Sequence, residues 1–555
     1  MSEDDALYKE FLSEMESLEK FRVTYSGLFP NAPLQREDQD VRRIVEALGM
    51  FNAKTRVAGR RALLRSTVRL FSQHFPQMLN SIPAMTMLSA VANQKFVDAS
   101  FIPKGTRIFI SGEGKDNGPM SGESLVAHFR TLSHLNVVPY RLNWVEILRV
   151  PGEGYRLLLR IESDFSRNDE IGDLSFHINH LNDLNSSSLI NFNLKKHIQR
   201  IGVVFDEEVN QETKSEECDF YFGPVKGQDV SGIAFDHPLQ RARTFFRFPQ
   251  QDLFLTVNVA ARARNWEFFT LVLDLGPDWP TNLRLSPSSF QLNVAPMVNI
   301  EKALSNPVMI DGTKERVLLG SSEPENRFVP QAIQTVYRLD GEGLQPLNPG
   351  VVDYESGHAT YEVESEGALE NRKVWGYIHV PGSFESPVPV AAEGVWHQPL
   401  LAEEPLGQWE TVLADRHVEG VSWEVSGPVL AAAESDFIND YDGLMQLLSI
   451  KNQRFLSVND LAFVLRALGA SSSQFFSEIV AAIVDLKFEK KPFVKNSTGF
   501  KYIYLLELSA LDSGLVGILD LFCKRLLEIL KSWSVEEVVE LTISVRNMET
   551  QLSYS

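Results

Sequence analysis

The chain has 555 residues, of which 44% are hydrophobic and 23% charged, and its net charge is -20. It is too long for one core, so about three or four domains are expected, and its composition is that of a folded protein rather than a disordered one. Several function classes fall away at once. No apolar run reaches the ~18 residues of a membrane span. Cys218 and Cys523 cannot build a disulfide framework, and Met1-Ser2-Glu3-Asp4-Asp5 is acidic where a secretory leader is basic. A pI near 5.1 argues against general nucleic-acid binding, so a cytosolic protein is expected.

Leu7, Phe11, Met15, Leu18, Phe21, Tyr25 and Leu28 recur at helical spacing, and Phe29-Pro30-Asn31-Ala32-Pro33 ends that helix. A second helix is expected from Val41 to His74, with Val41, Ile44, Val45 and Leu48 as an apolar face. Gly49 and Gly59 weaken it by ~1 kcal/mol each relative to alanine, which leaves open whether the run is one helix or two. It carries Arg42, Arg43, Lys54, Arg56, Arg60, Arg61, Arg65 and Arg69. So basic a helix on an acidic protein points to an acidic partner or an anionic surface, or else to a solvated face.

From about residue 100 the period becomes two. Leu157, Leu159 and Ile161 alternate with more polar residues, and the pattern recurs at Leu253–Val259, Phe269–Leu275 and Phe290–Val294. Turn residues separate these runs, as in antiparallel sandwiches or barrels. The acid-rich stretch from Asp206 to Asp219 reads as a solvated loop. Residues 331–435 form a further β-rich module. From 436 the helical period returns, with an N-terminal capping signature at Ser457-Val458-Asn459-Asp460 and an apolar stripe from Phe475 to Val484. A strand pair (487–494 and 501–508), an apolar helix (515–530), a capped last turn at Ser534-Val535-Glu536-Glu537 and a strand from Val539 to Val545 complete the expectation. The fold class is therefore multidomain α+β: long N-terminal helices (1–100), a β-rich middle (101–330 and 331–435) and a C-terminal α+β domain (436–555).

Catalytic motifs are scarce. His177 and His180 lie three apart on a strand pattern, hence on opposite faces, and do not make a metal pair. Gly112-Glu113-Gly114-Lys115-Asp116-Asn117-Gly118 is glycine-rich but lacks the lysine-hydroxyl step of a phosphate loop. No nucleophile elbow, HExxH or CxxC is present.

Read in order, other landmarks do point somewhere. Tyr8-Lys9-Glu10-Phe11-Leu12 leading to Phe29-Pro30, Asp40-Val41-Arg42-Arg43-Ile44-Val45-Glu46-Ala47, and Phe75-Pro76-Gln77-Met78-Leu79 with Ile82-Pro83-Ala84-Met85 come first. Pro103-Lys104-Gly105-Thr106-Arg107, Phe129-Arg130-Thr131 and Leu174-Ser175-Phe176-His177-Ile178 follow. Phe245 to Leu255, around Phe248-Pro249, and Phe290 to Ile300, around Pro296-Met297-Val298-Asn299, complete the series, with Phe455-Leu456-Ser457-Val458 and Ser513-Gly514-Leu515 in the C-terminal domain. Each is common alone. Together, in this order over about 500 residues, they resemble TssF (VasA, ImpG), the type VI secretion baseplate family, with residues 330–430 and the tail Arg546-Asn547-Met548-Glu549-Thr550 departing from it.

The resemblance implies a structural protein without enzymatic activity or cofactor. Such a subunit clasps TssG together with a second TssF copy, meets TssE and TssK, and helps seat the tube and sheath proteins around the VgrG spike at the cytoplasmic face of the inner membrane. It implies no nucleic-acid partner and no membrane span of its own. On that reading Arg42, Arg43, Arg56, Arg60, Arg61, Arg65 and Arg69 are candidate interface residues. Pro76, Pro83, Arg130, Phe176, His177, Phe248, Pro249, Pro296 and Asn299 are candidate fold determinants. A β-rich hydrolase with converging carboxylates, or a wedge protein of another phage-derived contractile particle, are the competing expectations.

Overall fold

The computed structural model describes residues 3–25, 39–72, 74–113, 124–152, 154–227, 237–259, 265–341, 343–350, 357–437, 440–451, 453, 455–492, 500–534, 538–547 and 551–554. It divides into two compact units, residues 1–79 with 436–453 and residues 80–435 with 454–555.

The first unit is helical. Helices Glu3–Tyr25 and Gln39–Ser72 pack on one another, and the short helices Pro76–Leu79 and Tyr441–Lys451 meet the second of them or lie beside its end. The 34-residue helix runs unbroken through Gly49 and Gly59. Gly49 is buried, and a methyl group there would lie 2.9 Å from the Met15 sulfur, so its smallness lets the two helices close. Phe71 is fully buried between Phe75 and Phe437, with ring centroids 5.4 and 6.0 Å away.

The second unit is built around a closed barrel. Its strands, in spatial order, are Met85–Ala92, Val294–Val298, Ser124–Thr131, Arg107–Glu113, Glu410–Leu413 and Val421–Leu430. Ile108, Ile110, Leu125, Ala127, Phe129, Ala295 and Met297 fill it. The barrel thus draws strands from three distant parts of the chain. Between the first two parts lies an antiparallel eight-stranded sheet, with Tyr140–Val150 at one edge and Phe290–Gln291 at the other. Between the second and third lie a five-stranded and a four-stranded sheet with their own core, including Val336, Tyr361, Val374 and Val390.

The acid-rich stretch is only partly a loop. Its end belongs to strand Glu216–Phe222 inside the large sheet, where Cys218 turns inward while Glu216, Glu217 and Asp219 stay exposed. Alternation, not acid content, decides that segment.

Helix Val516–Ser534 lies against helices Leu184–His197 and Pro238–Arg247. Phe246, Phe476 and Phe522 stack there with centroids 5.2 to 6.3 Å apart. Lys195 pairs with Asp520 at 2.7 Å, and Arg525 pairs with Asp252. The same helix is the crossover between the parallel strands Phe500–Leu508 and Val539–Val545. The expected capping signature forms at Ser457 and Asp460. Ser534 is the last residue of its helix, while Val535-Glu536-Glu537 lie outside the described residues, as do residues 114–118 of the glycine-rich loop. Among the described residues no helix is long and apolar enough to cross a membrane.

Candidate interaction surface

The helical pair has an unusual interior. Glu10 and Glu14 sit among Phe11, Met15 and Leu18 on the first helix and are only 9% and 5% exposed. Arg56 reaches Glu14 at 2.6 Å and Glu10 at 3.5 Å, and Arg60 reaches Glu10 at 3.0 Å. A pair of acids four residues apart on one helix therefore meets a pair of arginines four apart on the next. Carboxylates shielded this far from water need that charge.

Two of the candidate interface arginines thus have an internal duty. Arg43 lies 3.6 Å from Asp40 on its own helix, and Arg69 is half-buried near the helix end. The side chains of Arg42, Arg61 and Arg65 lie outside the described residues. Replacing Arg56 and Arg60 together by alanine is expected to loosen the first helix by about 2 kcal/mol, discounted because both guanidinium groups are largely exposed. Amide exchange across 3–25 should quicken. Adding Glu10→Gln and Glu14→Gln should recover at least half of that protection, since neutral amides need no cation.

With Gly49, Ala53, Thr67 and Phe71 turned inward, the opposite face of the long helix is left to solvent. Ile44, Leu48 and Phe51 lie on it at 65%, 52% and 68% exposure. Thr55, Ala58, Ala62 and Ser66 continue the same stripe and are also exposed. Tyr8 and Leu12 are exposed on the first helix. Ile44 and Leu48, expected to share an apolar face, thus present that face to solvent. The inner face is marked instead by small residues and by charges that match Glu10 and Glu14, and that match is the signal in the sequence that locates it.

The remaining candidates lie inside the second unit, apart from Pro76, which opens the short helix Pro76–Leu79. Pro83 and Pro296 are buried, and Pro249 starts the 3-10 turn Pro249–Asp252 beside buried Phe248. Phe176 is fully buried edge-on to Phe290. His177 lies between the Gln291 side chain (3.4 Å) and the Gln250 carbonyl (3.3 Å), and burial pushes its pKa down to about 4. His180 faces elsewhere, 2.9 Å from the Ser289 hydroxyl. Arg130 holds Glu301 at 2.7 Å. Burial opposes ionisation of the Glu301 carboxyl, but His128 and Arg130 outweigh it and keep its pKa below the usual range.

Asn299 is fully buried and exchanges hydrogen bonds with Gln398: its amide donates to the Gln398 side-chain oxygen (2.9 Å), and its own oxygen accepts the Gln398 N–H (2.6 Å). Gln398 also accepts from the His128 N–H and donates to the carbonyls of Val126 and Asn326. Sequence reading missed Gln398, which has no local pattern around it. Among the described residues no group of three His, Cys, Asp or Glu side chains is placed to hold a metal ion.

The family model for the type VI secretion system protein TssF matches residues 29–367. The chain belongs to the TssF family. Its fold is also similar to that of a chain in the TssK-TssF-TssG baseplate subcomplex of the type VI secretion system, solved by cryo-electron microscopy. That match has a TM-score of 0.74 at 15% identity and covers 93% of this chain and 98% of the other. A chain in the type VI secretion baseplate complex matches with a TM-score of 0.58 at 13% identity, covering 99% and 98%. No curated protein matches in sequence. The TssF fold is therefore retained from end to end while the residues have largely changed.

Proposed function

We propose that this TssF-family protein is a structural wedge component of a type VI secretion baseplate, and that its helical unit docks a TssG partner through the exposed face of the long helix. The observation that carries the reading is the Ile44-Leu48-Phe51 stripe, presented by a helix whose other face is already anchored through Arg56 and Arg60. Three large apolar side chains at i, i+4 and i+7 are the form in which a helix offers itself to a groove or a bundle. The family match and the end-to-end likeness to a chain of the TssK-TssF-TssG subcomplex support it. Two copies of the chain per TssG, contacts with TssK and TssE, and a place beside the spike and sheath at the inner membrane follow from the same reading.

The test is co-expression with a TssG-like protein, affinity purification and light scattering. A stable complex with two copies of this chain per partner is expected. Leu48→Asp with Phe51→Asp should abolish it, since burying a phenylalanine and a leucine contributes about 4 kcal/mol. A monomer that ignores the partner would overturn the wedge reading. A complex indifferent to the double substitution would move the contact off this face.

A further inference from the structure

Strands Ile198–Phe205 and Glu216–Phe222 are neighbours in the eight-stranded sheet, with Val203 paired to Glu216. A loop of about two to five residues is enough to join such strands. Here residues 204–215 intervene, and beyond Phe205 the chain does not turn straight back. It crosses the face of the sheet as a strap, over strands Trp266–Leu275 and Gly154–Arg167, as far as the edge strand Tyr140–Val150. On the way, Val209 joins Leu148 in packing against a buried cluster of Leu158, Val204 and Val272.

The ends of the strap are tied more firmly than its middle. The Asp206 carboxylate accepts the N–H groups of Glu267 (2.9 Å) and Phe268 (3.1 Å), and Arg200 donates to the Ser215 carbonyl (2.6 Å). In between, Glu207, Glu208, Gln211 and Glu212 are exposed. Arg156 donates to the carbonyls of Asn210 (3.1 Å) and Thr213 (3.0 Å), Arg160 meets the Glu208 carboxylate at 3.0 Å, and the Gln211 amide donates to the Arg149 carbonyl at 2.9 Å. Any extended chain offers such carbonyls, and an ion pair to so exposed a glutamate contributes little. Neither arginine is orphaned when the strap leaves. Arg156 also pairs with Asp274 at 2.9 Å, and Arg160 pairs with Glu162 at 2.9 Å and lies over the Phe268 ring. Only the apolar cluster then lacks cover, so the strap is exchanged for another segment more readily than it is simply removed.

We propose that the strap is a displaceable cover, and that the sheet face beneath it takes an extended acidic segment of a partner protein in its place. The strap's own contacts define that segment. It brings a β-branched apolar side chain onto Leu158, Val204 and Val272, a neighbouring carboxylate to Arg160, and backbone carbonyls to Arg156. Arg156, Leu158 and Arg160 alternate on one strand and so share the face that receives it. The site lies in the second unit, away from the helical face, and does not depend on the TssG reading.

The experiment compares the full chain with a variant in which Gly-Asn-Gly replaces residues 207–214, using the anisotropy of a fluorescein-labelled hexapeptide of alternating valine and glutamate. Saturable binding to both is expected, about tenfold tighter to the shortened variant, because a strap closed about nine-tenths of the time lowers the apparent affinity by that factor. Adding R160Q to the shortened variant should weaken binding about threefold, the effect of losing one exposed ion pair. Equal affinity of the full and shortened chains would overturn the cover. Equal affinity for a valine–lysine hexapeptide would overturn the site. Should the shortened variant fail to fold, amide exchange on the full chain decides: saturating valine–glutamate peptide should quicken exchange within 207–213, and unchanged or slowed exchange there would overturn the displacement.

Discussion

Substituting alanine for Gly517 is expected to unseat the C-terminal helix and lower the melting temperature by several degrees. A methyl group at that position would fall 2.4 Å from the Leu189 nitrogen, 2.4 Å from the Ser188 carbonyl carbon and 2.5 Å from its oxygen. These are backbone atoms of a neighbouring helix, so no side-chain rotation relieves the overlap. The helices must separate, and overpacking of this kind costs about 3 kcal/mol or more. Separation also strains the Lys195–Asp520 pair and the Phe246, Phe476 and Phe522 stack. Gly514, three residues earlier, is the internal control. Its nearest neighbour would be 3.7 Å away, so Gly514→Ala should stay within about 1 kcal/mol of the parent. Thermal unfolding of the two variants side by side decides the matter; equal stability would mean the helices do not cross at Gly517.

Stability should also fall steeply below neutral pH, and two histidines are the reason. His397 is fully buried with one ring nitrogen 3.0 Å from the Ser81 hydroxyl. Burial first, and the nearby Arg372 second, push its pKa down to about 3. His177 is pushed down to about 4, again by burial. Both folded values lie below the ordinary histidine range, so the fold favours the neutral ring. Their contribution is complete above about pH 6.5 and is lost as pH falls toward the folded values, because the unfolded chain takes up protons that the native one refuses. From pH 7 to pH 5 the two together should remove about 4 kcal/mol. Denaturant titration at the two pH values measures it. His177→Gln should flatten the dependence by roughly half, because glutamine does not titrate. An unchanged slope would show that the His177 ring takes up protons alike in the folded and the unfolded chain.

How much of this was legible depended on how locally each feature is encoded. The two long helices, the capping box at Ser457 and the alternating strand Val539–Val545 follow from residue spacing alone. The ordered landmarks from Tyr8 to Leu515 identified the TssF family for the same reason. They are short segments whose meaning lies in their order, and order survives divergence to 15% identity with a solved relative of the same fold. Asn299 lay within one of those landmarks. Its partner Gln398 lay in none, because their bonds join positions 99 residues apart.

The sequence by itself determined the periodicities, the absence of sequence motifs for catalysis, the family and the basic character of the second helix. Only the tertiary structure decided which faces those elements bury. Ile44 and Leu48 were read as part of one apolar face, and the structure leaves them to solvent, while buried Gly49 is small enough for Met15 of the first helix to approach. Arg56 and Arg60, largely exposed themselves, reach across to the buried Glu10 and Glu14. The barrel likewise joins strands from residues 85–131, 294–298 and 410–430. Burial and charge pairing are properties of two segments at once, and no single stretch of sequence contains both.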